Sequence, residues 1–311
     1  MEILSFIREK GLIAEILHGR PEYIGSRITT LVSFRRAIRS IRGSKFGVIG
    51  KPSNWLIASS GDYSSPLKRY LDAELVDITM EEFLLEVKKE DFPPNADAPF
   101  VGKYDENTLK KAMHIYGALR RLVDKYHLSA LTVRCFDLLG MLCNTSCLGL
   151  ALLNKEGITA SCEGDVPAMV SMVILRALTG QSSFQSNPST IDVPTNTLTL
   201  AHCTVPLDMV DAFELHSHFE SGLGVAVRGT IQPGNVTIFK CSGDLSRYFV
   251  SNAHLEQNLT SEHLCRTQII VKPEKSVDYF LRDSIGNHHI VVRGHHAEVV
   301  DEFFRALKGS S

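Results

Sequence analysis

Ile158-Thr159-Ala160-Ser161-Cys162-Glu163-Gly164-Asp165-Val166-Pro167 is the stretch on which the fold turns. Ile158–Cys162 has the small and β-branched character of a strand, and Asp165–Leu178 is an apolar helical run that stops at Thr179-Gly180, a helix-ending pair. A strand passing into a helix through a short glycine turn is half of a βαβ unit. It places Glu163 and Asp165 just beyond the carboxyl edge of a sheet, where α/β proteins keep their ligand sites. Asp165 also has an ordinary structural role available to it as a helix N-cap. Glu163 lies before the cap, where its side chain is free to enter a crevice.

The same alternation extends upstream. Lys45–Gly50, Ala73–Ile78 and Ala130–Cys135 read as strands. Thr79–Lys89, Glu106–Tyr126 and Cys147–Leu153 read as helices, and a further helix near the front carries Ile28, Leu31, Phe34 and Ile38 on one face. This order predicts a mainly parallel, three-layer α/β domain over residues 1–182, with docking helices at its start. Past Gly180 the texture changes to short alternating runs: Thr197–His202, Gly224–Arg228, Asn235–Lys240 and Arg266–Val271. Turn signals at Pro233-Gly234 and Ser242-Gly243-Asp244 separate some of them, predicting a β-rich, barrel-like antiparallel domain over 183–311. Ser276–Arg282 and His296–Leu307 read as closing helices.

Composition narrows the function. The chain has 311 residues, enough for two cored domains, with 33 Lys+Arg against 35 Asp+Glu. Without a broad cationic field, nucleic-acid and anionic-membrane partners are disfavoured, and a small neutral ligand is preferred. No apolar run approaches the ~20 residues of a membrane span, and the N-terminus lacks a secretory layout, so a cytoplasmic protein is expected. The seven cysteines form no CxxC pair and read as reduced core residues. The absence of GxGxxG and GxxxxGK[ST] weighs against dinucleotide and P-loop chemistry.

Nine of the twelve histidines fall after residue 182. In Asn287-His288-His289-Ile290 the two rings are adjacent on an expected strand, so only one of them can face a given pocket. In His216-Ser217-His218 both rings share a face if the segment is extended. A carboxylate from the first domain and an imidazole from the second, meeting across a cleft, would hold a divalent cation such as Mn²⁺ or Mg²⁺.

Several runs occur in a suggestive order: Arg134-Cys135-Phe136-Asp137, Cys162-Glu163-Gly164-Asp165, Asn187, Leu200-Ala201-His202-Cys203-Thr204-Val205-Pro206, Ser217-His218-Phe219-Glu220-Ser221-Gly222 and Gly286-Asn287-His288-His289. Together they resemble the fucose isomerase-related branch of the L-fucose/L-arabinose isomerases. The resemblance implies an aldose–ketose isomerase working through a cis-enediol, with Mn²⁺ as cofactor. Glu163 is then both metal ligand and catalytic carboxylate, and His289 is the histidine ligand. His218 is the counterpart of a further histidine, and His202, His218, Asn187 and His288 are implied to contact the sugar. Where the family places a second acidic ligand this chain has Asn187, whose amide can coordinate a hard cation but cannot exchange a proton. Asp192 is either a replacement catalytic carboxylate or a turn residue. The family's first domain is expected to be missing, and a homo-oligomer, trimer or hexamer, or a separate chain would complete the site. The alternative is a non-catalytic sugar-binding or regulatory homologue.

Overall fold

The computed structural model describes residues 1–12 and 14–308. The first part contains α1 (Glu2–Glu9), α2 (Pro21–Ile41), β1 (Lys45–Ile49), α3 (Ser64–Leu71), β2 (Glu74–Ile78), α4 (Met80–Val87), α5 (Glu106–Tyr126), β3 (Leu128–Val133), α6 (Phe136–Leu142), α7 (Cys147–Lys155), β4 (Thr159–Ser161) and α8 (Val166–Thr179). Its four strands pair in parallel in the order β2-β1-β3-β4. Side-chain caps define where several helices begin: Thr79 accepts from Glu82 N, Asp105 from Thr108 N and Asp165 from Ala168 N. Each removes an orphan donor, worth about 1 kcal/mol. Gly180 in the left-handed region ends α8, as the Thr179-Gly180 pair predicts.

β5 (Phe184–Asp192), β6 (Thr197–His202), β7 (Ala212–His216), β8 (Ala226–Thr230), β9 (Gly234–Cys241), β10 (Tyr248–Asn258), β11 (Thr267–Pro273), α9 (Tyr279–Arg282), β12 (His289–Arg293) and α10 (Ala297–Lys308) follow. Six of these strands close an antiparallel barrel in the order β10-β11-β6-β5-β12-β9, while β7 and β8 form a separate hairpin. The α/β sheet followed by a β-rich antiparallel barrel is the predicted fold class. Among the described residues no helix is long and apolar enough to cross a membrane.

Two continuous cores hold the sheet and barrel together. In one, Leu131 and Val133 of β3 share a cluster with Phe184, Leu198 and Leu200 of the barrel. In the other, Val170 and Ile174 of α8 join Phe239, Ile290 and Val292 of the barrel and Phe303 and Phe304 of α10. Burying several such side chains at about 1.5–3 kcal/mol each makes their relative placement stiff. That stiffness matters because the site draws residues from both sides.

Gly117, mid-way along α5, is required by contact rather than by conformation. A Cβ there would sit 1.9 Å from the Asp91 carbonyl oxygen and 2.9 Å from Phe92 Cα, both backbone atoms. Gly117→Ala gains about 1 kcal/mol of helix propensity, but the overpacking costs about 1–3 kcal/mol. We expect a lower Tm by thermal denaturation, by several degrees at the upper end of that range; a Tm at or above wild type would contradict this packing.

Candidate metal centre

Between β4 and α8 the chain passes through two consecutive left-handed residues, Glu163 with φ 64° and Gly164 with φ 61°. Gly164 suits this conformation, and it also allows close approach: a Cβ would lie 2.9 Å from the Lys51 carbonyl oxygen and 3.0 Å from Ser53 N. Glu163 is not a glycine, and such a conformation costs of order 1–3 kcal/mol unless its surroundings impose it. They do so here. Gly164 N donates to Val133 O at 2.8 Å, pinning the turn to the end of β3, and Ser53 Oγ donates to the Glu163 carbonyl.

The Glu163 carboxylate meets two imidazoles of the barrel, His202 from the end of β6 and His288 from the residue before β12. Its Oε1 is 3.3 Å from His288 Nε2 and 3.5 Å from His202 Nε2. One ligand atom from each residue lies within 4.8 Å of the other two. The far nitrogen of each ring is engaged: His202 Nδ1 lies 3.0 Å from Thr204 Oγ1, and His288 Nδ1 lies 2.7 Å from Asp165 Oδ2. Trp55 Nε1 donates to Glu163 Oε2 at 3.4 Å. A carboxylate and two Nε2 atoms directed at one point are a donor set that suits a divalent first-row metal, and engaged Nδ1 atoms are the usual second partners of histidine ligands.

Charge is concentrated beneath this cluster. Burial opposes ionisation of Glu163, but His288 and His202 outweigh it and hold its carboxyl well below the usual carboxylate range. Burial likewise opposes ionisation of Asp165, where Lys240 and His288 win and push its pKa down. For His288 burial disfavours the cation, yet the flanking Glu163 and Asp165 raise it to about 9. His289 is the reverse: burial, reinforced by Lys240, lowers it to about 3.

These opposite shifts make opposite contributions to how the metal-free protein responds to pH. His288 has a folded pKa above its unfolded value of ~6.5, so its contribution to stability is full below ~6.5 and is lost as pH rises through about 9. His289 is held below ~6.5, so stability falls as pH drops from there towards about 3, where the unfolded chain takes up a proton that the folded one refuses. With EDTA present, these two groups contribute one limb of Tm falling from pH ~6.5 towards about 9 and another falling from ~6.5 towards about 3. His288→Gln should flatten the alkaline limb and His289→Gln the limb between pH ~6.5 and ~4.5. A Tm profile that neither substitution changes would contradict these assignments.

Glu163, Asn187, His202 and His218 line a common crevice, so four of the residues singled out from sequence come together. Two do not. His289, expected as the histidine ligand, points to the other face of its strand. There its Nε2 lies 3.0 Å from Tyr279 Oη and its Nδ1 3.1 Å from the Asn287 carbonyl, with the Phe249 and Phe280 rings against it. Adjacent residues of an extended chain face opposite ways, and it is His288, expected to contact sugar, that meets Glu163. Asp192, the candidate replacement carboxylate, lies at the β5–β6 turn, where Oδ1 accepts from Thr195 N at 3.4 Å; it is a turn residue. β7 stops at His216, which pairs with Glu214, so His216 and His218 do not act as a pair. Asn187 accepts through Oδ1 from Asn287 Nδ2 at 2.9 Å.

Cysteines are the part of the site not anticipated. Cys135, Cys147, Cys162, Cys203 and Cys265 all line the crevice, and Cys135 Sγ lies 3.1 Å from Cys162 Sγ. The signal was present for two of them, since Cys162 precedes Glu163 and Cys203 follows His202. The Cys203 thiol is pulled down by a hydrogen bond from Cys265, against its burial. All seven cysteines are free thiols.

No family model matches the chain. It is 23% identical over 243 residues to the sulfoquinovose isomerase of Alkalicoccus urumqiensis, covering 72% of this chain and 54% of that protein. It is 24% identical over 237 residues to the sulfoquinovose isomerase of Priestia aryabhattai, covering 70% and 51%. A shorter match of 103 residues, 35% identical, covers 32% of this chain and 23% of a sulfoquinovose isomerase from Clostridium sp. (strain MSTE9). The chain thus spans about half the length of the curated relatives it matches over most of its residues. At low identity, then, the chain is similar to sulfoquinovose isomerases.

Proposed function

We propose that this chain is a metal-dependent isomerase that interconverts an aldose and a ketose, with Glu163, His202 and His288 holding a divalent cation, Mn²⁺ first among the candidates. The observation that carries the reading is the convergence of Glu163, His202 and His288 at the end of the parallel sheet, one ligand atom of each lying within 4.8 Å of the other two. When bound, the metal supplies Lewis-acid polarisation of the sugar's C1 and C2 oxygens. The chain's own residues do the rest. Glu163 Oε2, whose only hydrogen bond among the described residues is a long one from Trp55, is the atom available to take a proton from one carbon and return it to the neighbouring one. A single carboxylate on one face of the sugar suffices for that transfer through a cis-enediol, so Asn187 in place of a second acid does not forbid it. The Asn187 amide and His218, on the crevice wall, are positioned to hydrogen-bond sugar hydroxyls.

The wall also supplies negative charge, from Glu163 and Glu220. A neutral pentose, 6-deoxyhexose or related polyol therefore suits it better than an anionic sugar. We further propose a homo-oligomer, in keeping with the resemblance seen in the sequence. A second reading, a sugar-binding homologue without turnover, is favoured by Asn187 alone, because an amide cannot share the proton transfer.

Incubation with Mn²⁺ and a panel of aldoses in D₂O separates the two readings. Deuterium entering at C1 or C2, followed by NMR, supports the isomerase. Sugar binding with no deuterium entry for any aldose overturns it in favour of the second reading.

A further inference from the structure

We infer that Asp165 is the positioning residue of the site, fixing the ring orientation and tautomer of His288 so that its Nε2 lone pair faces Glu163. The inference rests on the reading of Glu163, His202 and His288 as a cation site, but it has a readout of its own. Asp165 is fully buried and both of its oxygens are committed: Oδ1 accepts from Ala168 N at 2.8 Å, and Oδ2 lies 2.7 Å from His288 Nδ1. Lys240 Nζ, also fully buried, stands 3.5 Å from the same Oδ2 and has no hydrogen-bond partner among the described residues. An N-cap needs only one acceptor oxygen, so the cap accounts for Oδ1 and leaves the other half of this arrangement unexplained. An aspartate is also not needed for a cap, since serine and asparagine serve as well.

The chemistry of the second oxygen supplies the reason. Both neighbours are carboxylates and only accept, but the 2.7 Å contact to Asp165 against 3.3 Å to Glu163 keeps the neutral ring's proton on Nδ1 and leaves Nε2 bare. Glu163 and Asp165 thus stand two residues apart in the turn that leaves β4, one placed to share a cation with His288 and the other to aim His288 at it. The left-handed pair at 163–164 lets both carboxylates reach the same imidazole from opposite sides. Lys240 supplies counter-charge to the buried Asp165.

Asp165→Asn tests this with little change of shape. The asparagine oxygen still caps α8, while its NH₂ turns to His288 Nδ1, making that nitrogen the acceptor and moving the ring proton to Nε2, where a metal would bind. Because the amide would also meet the Lys240 ammonium as donor to donor, Asp165→Asn/Lys240→Met is made alongside it. We expect both variants to keep the wild-type circular dichroism spectrum and to lose ~10–100-fold in Mn²⁺ affinity, read from the EPR signal of free Mn²⁺. Long-range ¹H–¹⁵N spectra of metal-free, ¹⁵N-histidine-labelled protein at pH 10 should show His288 as the Nδ1–H tautomer in wild type and as Nε2–H in the variants. If the double variant folds and keeps both wild-type Mn²⁺ affinity and the Nδ1–H tautomer, Asp165 is a helix cap and the inference is overturned. If wild type itself binds no Mn²⁺, the cation reading fails. The tautomer then decides the positioning role separately: a switch supports it and an unchanged tautomer refutes it.

Discussion

His288→Ala is expected to weaken Mn²⁺ binding by ~100-fold or more, beyond the 10–100-fold typical of removing a ligand's supporting partner, while His289→Ala leaves that affinity within about threefold of wild type. The two residues are neighbours in sequence and both are fully buried, so burial alone predicts similar effects. Geometry separates them. His288 Nε2 points at Glu163 Oε1, 3.3 Å away, whereas His289 Nε2 meets Tyr279 Oη in an aromatic pocket with Phe249 and Phe280. Losing the second ring leaves a cavity and strips a partner from the half-buried Tyr279 phenol, costing about 2–4 kcal/mol of stability. Calorimetric Mn²⁺ titration should therefore rank His288→Ala far below His289→Ala for metal, while urea unfolding of the metal-free protein should show both destabilised, His288→Ala because it unpairs Glu163 and the buried Asp165. Equal losses of Mn²⁺ affinity in both variants would mean that the strand is not oriented as described.

Glu163→Gln carries the largest expected effect on chemistry. The substitution keeps the side chain's size but removes both the negative charge that draws the cation and the oxygen that accepts a proton from carbon. Loss of a general base costs ~10²–10⁴-fold in turnover, and deuterium entry from D₂O should become undetectable with every aldose that wild type exchanges. Adding Mn²⁺ until the variant is saturated separates the two roles: a residual defect of at least ~10²-fold belongs to proton transfer, and full recovery would assign Glu163 to metal binding alone.

The fold class was legible because its signals are local. Glu106–Tyr126 reads as a helix and is one over the same residues, and β1, β2, β3 and β4 fall within a residue or two of the apolar runs that announce them. β5 does not announce itself as a strand, because Ser183-Phe184-Gln185-Ser186-Asn187-Pro188 has the composition of a loop. The barrel accommodates Pro188 at a register shift, where no ladder hydrogen bond is required of it. β10 does not either: Ser251 and Asn252 interrupt its apolar pattern, yet Ser251 is buried and bonds outside the ladder, donating to the Asn252 carbonyl and accepting from Lys275 N.

The site was half legible for a related reason. Local sequence places Glu163 at a strand end and shows that only one ring of His288-His289 can face it, but which ring depends on the register of β12 against β5 and β9, a long-range property. The dual use of Asp165 was hidden in the same way. Its cap follows from the ten residues around it, whereas its bond to His288 spans 123 positions. The thiols around the crevice look like core filler one at a time, and gather only when β3, β4, β6 and the segment before β11 are folded together.

Crystals soaked in Mn²⁺, with diffraction collected on either side of the manganese absorption edge, put the central claim to its most direct test. The anomalous peak is expected within bonding distance of Glu163 Oε1, His202 Nε2 and His288 Nε2 together. A peak bonded to His289, or no peak at this cluster when Mn²⁺ is saturating, would contradict it.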